Sequence, residues 1–286
     1  MNLHISEPGT RREIGWSTTG WAFLDVFLTG IMNRRLLMSV VRRDLASRYR
    51  GAMLGVLWMI GAPLAMVAAY SFVIAGVFGL RVGGADDVRS TVIGLWACLG
   101  AWQLFSETAN RSSGMMFDNA ALVKRTSFPL ALLPISIVIT SFVGVIVSYA
   151  LISCLFVLLI GFPPVTWLLM PLAFVPLAVF ALGTSYILAS LGTFVRDVRH
   201  AVPLAVQVGM LVTPILYPAD RIPKVLSWFS VINPLTPIFE TVRALMLGSM
   251  AAPWERLAVV TAVSMIFCVL AYALFRKRAP EFADVV

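Results

Sequence analysis

Lys124, Lys224 and Lys277 are the only lysines in the chain, and a lysine closing a Gly-x-x-x-x-Gly run is what cradles nucleotide phosphates. None of the three follows such a run, so any ATP-dependent step must draw on a partner chain. Coupling to an ion gradient makes a different demand, for carboxylates or histidines inside membrane-crossing segments where the ion would bind. The central parts of the apolar stretches contain no Asp, Glu, Lys, Arg or His, which argues against it. Enzymatic sugar transfer would call for acidic residues at a metal or a carboxylate base. The adjacent Asp86 and Asp87 lie between Arg81 and Arg89 and read as a solvated loop. His4 belongs to the N-terminal tail and His200 to a turn. No triad, metal cluster or carboxylate pair can be assembled, although a membrane-embedded glycosyltransferase stays open as the rival class. Cys98, Cys154 and Cys268 each sit in an apolar run, where a thiol behaves as a small hydrophobe; neither a disulfide nor a metal site is expected.

Aromatic residues are the positive chemical signal. Trp58, Trp96, Trp102, Phe105, Tyr217, Trp228 and Phe229 lie at or near the ends of apolar stretches. Tryptophan and tyrosine there form an interfacial belt by default. The alternative is that some line a wide pore, where flat rings hold the apolar faces of sugars and let them slide. Sequence leaves both open.

The elements that must position these residues are set by hydropathy. Of the 286 residues 59% are hydrophobic and only 13% charged, with a mean hydropathy of +0.90, too little polar surface to cover a soluble globule. About 20 apolar residues cross the roughly 30 Å of bilayer hydrocarbon. Six stretches are predicted to do so: Leu57 to Gly79, Thr91 to Ser106, Leu130 to Ile160, Trp167 to Val195, Ala201 to Tyr217 and Leu257 to Phe275, the second and fifth being short. With the N-terminus in the cytoplasm, 16 of the 22 basic residues fall inside, as the positive-inside bias requires, and both termini are expected there. The net charge of +8 therefore reflects membrane topology, and no nucleic acid is expected. Residues 1–20 carry Glu7, Arg11, Arg12 and Glu13 without an apolar core and do not read as a signal peptide.

Residues 24–55 are predicted to form an amphipathic helix on the inner leaflet. At 100° per residue Leu36, Leu37, Val40, Val41, Leu45 and Tyr49 share one side, with Arg35, Arg42, Arg43 and Arg50 opposite. Arg34 and Arg48 intrude on the apolar side, where long stems snorkel. This helix serves either as an anchor that sets orientation or as a docking element. Residues 218–254, broken by Pro223, Pro234 and Pro237, are too short between breakers for two full spans and fit a re-entrant hairpin or a surface loop. The Gly51/Gly55 and Gly79/Gly83 pairs have small-xxx-small spacing, a weak sign of close helix contact. The fold class is all-α and polytopic: a tail over 1–23, the interfacial helix, a six-span domain over 56–278 with a loop at 107–129 and the hairpin, and a cytoplasmic tail over 279–286.

Several segments together resemble one family. Arg43-Asp44-Leu45-Ala46-Ser47-Arg48-Tyr49-Arg50, continuing through Leu54-Gly55-Val56-Leu57-Trp58, is similar to the R-D-x-x-x-R-Y-x-x-S-x-L-G-x-x-W segment of polysaccharide-exporting ABC permeases, with Ala52 in place of the usual Ser. Asn119 through Pro129 and Leu133-Pro134 resemble that family's coupling loop. Arg196-Asp197-Val198-Arg199 resembles its turn between spans four and five, while Pro214-Ile215-Leu216-Tyr217-Pro218 and Ile232-Asn233-Pro234-Leu235 resemble its outer gate. The resemblance implies a type 2 exporter of the inner membrane, moving O-antigen, capsule or teichoic acid chains on undecaprenyl-pyrophosphate. It implies a homodimer with two ATPase subunits that bind ATP and Mg, and no cofactor in this chain. A type 2 exporter of a drug, lipid or other small molecule is the nearest alternative. Asp118, Asn119, Lys124, Arg125, Phe128, Arg196 and Asp197 are expected to contact the ATPase. Arg48, Tyr49, Arg50 and Trp58 are expected at substrate access, because guanidinium groups at headgroup depth would bind a pyrophosphate. Trp96, Trp102, Phe105, Tyr217, Asn233 and Phe239 are expected at the pore and gate.

Overall fold

The computed structural model describes residues 28–48, 55–77, 79, 88–125, 128–217, 222 and 227–286, and every regular element among them is helical. Helix α1, Arg34–Arg48, buries Leu37, Val40 and Val41. Leu36, predicted on the same face, is 46% exposed, so the buried stripe is narrower than the pattern suggests. Helix α2, Trp58–Ser71, carries Pro63 in its interior and runs on as a π-helical turn over Phe72–Val77. Only Val67, Ile74 and Ala75 of that length are buried, so most of its apolar surface meets nothing in this chain.

Helix α3, Val88–Ser112, has 14 of its 25 residues buried. It is followed by two single turns, α4 (Met115–Asp118) and α5 (Ala120–Val123), and then by the long α6, Leu132–Leu159. A 3-10 turn, Val165–Leu169, leads into α7, Met170–Phe194. Helix α8, Val198–Val212, has one buried residue, Val202. The short α9 (Ser227–Ile232) and α10 (Leu235–Met246) precede α11, Trp254–Arg278. Gly248 at φ 81° closes α10: the Ser249 amide reaches back to the Ala244 carbonyl at 2.9 Å, a left-handed cap only glycine takes without strain.

Four segments are long and apolar enough to cross a membrane: Trp58–Val77, Leu132–Leu158, Val165–Phe194 and Trp254–Val285. The predicted second span lies within α3, whose Arg89, Glu107 and Arg111 lower its apolarity and whose burial among neighbours offsets that. The predicted fifth span corresponds to α8, an apolar helix of 15 residues, or about 22 Å.

Because lipid is as apolar as leucine, close packing and hydrogen bonds hold such helices together. Gly100 lets α3 approach Ser148 and Tyr149 of α6, where the Trp96 indole donates to Ser148 Oγ at 3.1 Å and the Tyr149 hydroxyl to the Ala97 carbonyl at 2.8 Å. Gly183 of α7 faces the ring of Phe267 and the backbone of Cys268 on α11, the most extensive helix pair. Between α3 and α7, Ser112 and Ser185 share a hydrogen bond of 2.6 Å.

The predicted tail over 279–286 is structured. A 3-10 turn, Ala279–Glu281, leads to α12, Phe282–Val285, and the Phe282 ring is fully buried against Phe275 and Phe194. A phenylalanine contributes about 2 kcal/mol by such burial, enough to fold a short terminus back onto the bundle.

Candidate functional site

Two clusters of polar contacts occupy opposite ends of the bundle. At the end where α3 and α11 finish, α1 lies across the start of α6 and the close of α3. Arg48 pairs with Glu107, and Arg111 pairs with Asp44. Arg111 also donates to Thr140 Oγ1 of α6 at 2.9 Å. These four charged side chains are only 17–28% exposed, and two acids against two bases leave the cluster formally neutral. Exposed pairs contribute little, but removing one partner from a half-buried set leaves an uncompensated charge.

A polar cleft of about 450 Å³ separates α1 from the turn at 113–119, lined by Arg43, Asp44, Arg111, Asp118, Asn119 and Ser136. Arg43 donates to Asn119 Oδ1, and Asn119 Nδ2 donates to the Met115 carbonyl at 2.9 Å. Arg199, at the start of α8, donates to the Gly114 carbonyl and to Asp118 Oδ1, both at 2.8 Å, and lies 5.2 Å from the Phe117 ring centroid. A Cβ at Gly114 would overlap the Arg199 guanidinium and push that side chain from its place. Gly192 of α7 is constrained more strictly, by the backbone of Ser113. Lys124, Arg125, Arg196 and Asp197 are exposed, while Phe128 is half-buried.

At the opposite end, the chain beyond α8 unwinds at Thr213 and is gripped by α10 and the residues before it. Arg243, 5% exposed, donates to the carbonyls of Pro214 at 2.9 Å and Ile215 at 2.8 Å. Asn233 Nδ2 donates to Thr213 Oγ1 at 2.9 Å, and Asn233 Oδ1 accepts the Leu235 amide at 3.0 Å, closing the first turn of α10. The Tyr217 hydroxyl donates to the Leu211 carbonyl at 2.8 Å. Burial raises the Glu240 carboxyl above the ordinary carboxylate range, with Arg256 and Arg243 acting to lower it.

Over residues 35–247 the chain matches the family described as ABC-2 type transporter. It belongs to that family. The ABC-2 chain is also 29% identical over 253 residues to an O-antigen export system permease protein RfbA of Klebsiella pneumoniae, covering 88% of this chain and 95% of that one. A second Klebsiella pneumoniae protein of that name is 28% identical over the same shares. The Myxococcus xanthus protein of that name is 27% identical over 257 residues, 88% of this chain and 96% of its own.

In this ABC-2 chain the expected ATPase-facing residues gather at one end. Asp118 and Asn119 are held by Arg199 and Arg43, with Lys124 and Arg125 beyond them on the surface. Arg48 is engaged by Glu107, and Trp58 is 51% exposed at the start of α2; Tyr49 and Arg50 lie outside the described residues. The aromatics expected at the pore divide. Trp96, Trp102 and Phe239 are 5% exposed or less within the core, and half-buried Phe105 stacks on Phe180. Trp96, Trp102, Gln103 and Ser148 border a cavity of about 250 Å³ with Tyr70 and Met210. The break at Pro223 lies outside the described residues. Among the described residues no three His, Cys, Asp or Glu side chains are placed to hold a metal ion.

Arg243, Glu107, Arg111 and Phe282 carry no role predicted from sequence, and Arg199 enters there only as the last residue of the Arg196-Asp197-Val198-Arg199 motif. Arg243 carried a signal, a basic residue within an apolar helix, a placement that demands a buried partner.

Proposed function

We propose that this chain is the membrane permease of an ATP-driven O-antigen exporter. The observation that carries this is the alignment of 88% of the chain, end to end, with proteins named O-antigen export permeases. Two copies form the channel, and two separate ATPase subunits bind ATP and Mg beneath it. The substrate is a polysaccharide on an undecaprenyl-pyrophosphate carrier. The end bearing Lys124, Arg125 and the Arg276 to Arg278 run lies in the cytoplasm, with both termini, and the membrane is the bacterial inner membrane. Helices α3 and α8 complete six spans with the four apolar ones, and α9 and α10 form a re-entrant hairpin at the outer face.

Asp118, Asn119, Lys124, Arg125, Phe128, Arg196 and Asp197 form the surface the ATPase drives. Because a ligand shifts an equilibrium only by binding its states differently, ATP acts through contacts on this surface that change between ATP-bound and ATP-free ATPase. Span interiors without charge suit a neutral glycan.

Deletion of the gene in its native host, with analysis of glycolipids, tests the reading. Undecaprenyl-linked polymer accumulating in the cytoplasm and cleared by complementation is expected; unchanged polymer at the cell surface refutes it.

A further inference from the structure

Helix α8 is tied by polar side chains at its two ends, and between them Val206 and Met210 lean, partly buried, on the core. At the first turn Arg199 grips the turn following α3, through the Gly114 carbonyl and the Asp118 carboxylate, each at 2.8 Å. Beyond the last turn the carbonyls of Pro214 and Ile215 sit in the Arg243 guanidinium. Thr213 takes the Asn233 amide at 2.9 Å. These carbonyls lie past the negative end of the α8 dipole, where a cation is favoured and orphan acceptors need donors. Arg243 Nε is itself buried without a hydrogen-bond partner, and the two carbonyls that its guanidinium reaches belong to that one segment. Between the attachments Val202 is the only buried residue, and Leu204, Val208 and Leu211 are 50–63% exposed.

Helices α3 and α7 also run from the ATPase-facing turn to the hairpin, and they are built for a different task. Fourteen residues of each are buried among several neighbours, so moving either would break close packing along its length. Helix α8, with Val202 buried and Val206 and Met210 partly so, gives up less side-chain burial on shifting as a body.

We infer that α8 is the strut through which the turn at 113–119 moves the hairpin of α9 and α10, with Arg199 and Arg243 as the positioning residues that attach its two ends. This rests on the reading of the chain as an ATP-driven permease. Motion of the turn carries Arg199 and the start of α8. The strand at 213–215 follows, and through Asn233 and Arg243 it displaces the hairpin.

The test uses the permease with its cognate ATPase in lipid nanodiscs, carrying spin labels at Leu158→Cys on α6 and Val231→Cys on α9, both exposed, without the native cysteines. Export per ATP hydrolysed is measured in parallel on otherwise native chains. The unaltered complex should change the 158–231 distance on ATP binding. Arg199→Gln and Arg243→Gln should each abolish that change and lower export per ATP by about tenfold, the range of ordinary site-to-site coupling. A double variant should be no worse than either single, since a strut cut twice is cut once. Arg199→Lys should restore part of the loss, and Gly114→Ala, which leaves both arginines intact, should reproduce it. If Arg243→Gln does not accumulate, Arg199→Gln and Gly114→Ala decide. A retained distance change in either, or losses that multiply in the double variant, overturns the strut. A native complex that exports without moving position 231 also overturns it. A native complex without ATP-dependent export overturns the permease reading instead.

Discussion

Gly192 of α7 meets the backbone of Ser113 so closely that a methyl group on its Cα would overlap the Ser113 carbonyl. The two mark where a transmembrane helix touches the start of the surface turn, with backbone against backbone and no side chain able to yield. Gly192→Ala should therefore destabilise the protein by about 3 kcal/mol, the upper range for overpacking. A thermal unfolding profile in detergent checks this; a melting temperature within a degree of the parent would show that the turn moves aside.

The pairing of Arg48 with Glu107 separates two roles for that arginine. If it holds α1 against α3, Glu107→Gln should reproduce the export defect of Arg48→Lys. If it binds a pyrophosphate, loss of the competing carboxylate should leave export intact or improve it. The paired geometry favours the first outcome, and export assays on both variants with matched membrane levels decide it.

Phe282 should behave as a core residue although only four residues follow it. Phe282→Ala is expected to cost about 3–5 kcal/mol, as other buried aromatics do, and Phe282→Leu distinctly less. Unfolding midpoints of the purified variants measure the difference; equal midpoints for Ala and parent would mean the segment carries no load.

Reversing charge at Lys124 and Arg125, both exposed, should uncouple export from ATP hydrolysis without harming insertion. Export and phosphate release, measured on a double Glu variant that still co-purifies with the ATPase, provide the test. Normal export would assign these residues to topology alone.

Single cysteines at positions 124 and 200, in a chain lacking Cys98, Cys154 and Cys268, should resist an impermeant thiol reagent in intact cells, whereas one at Met250 should react. Replacing Cys98 loses only a weak contact to the Phe239 carbonyl at 3.7 Å, so the background should fold. Fast labelling at 124 would invert the orientation.

What could be read in advance follows the range of the forces involved. The burial of Leu37, Val40 and Val41 on α1 is legible because helical periodicity is local, and long apolar runs announce α6, α7 and α11 for the same reason. Arg199 and Gly114 are 85 positions apart and Arg243 and Pro214 are 29 apart, so neither contact leaves a periodic trace. Trp96 shows the limit from the other side. A tryptophan near a span end suits a belt, a pore or a core, and its bond to the Ser148 hydroxyl at 3.1 Å, 52 positions away, leaves no trace in that pattern. Phe282 was hidden by the charges before it, Arg276 to Arg278, which read as the end of structure although the chain turns back beyond them.

The ionic seam joining α1 to α3 also sets an order of events at the ribosome. Asp44 leaves the exit tunnel 67 positions ahead of Arg111, so at roughly 5–20 residues per second α1 waits about 3–13 s for its counter-charge. During that interval Arg48 lacks Glu107 as well, and the excess positive charge of α1 is open to lipid headgroups. Helix α1 is thus made well before it is fastened, and a nascent chain halted before Arg111 should leave α1 open to proteolysis, whereas one halted well after α6 should not.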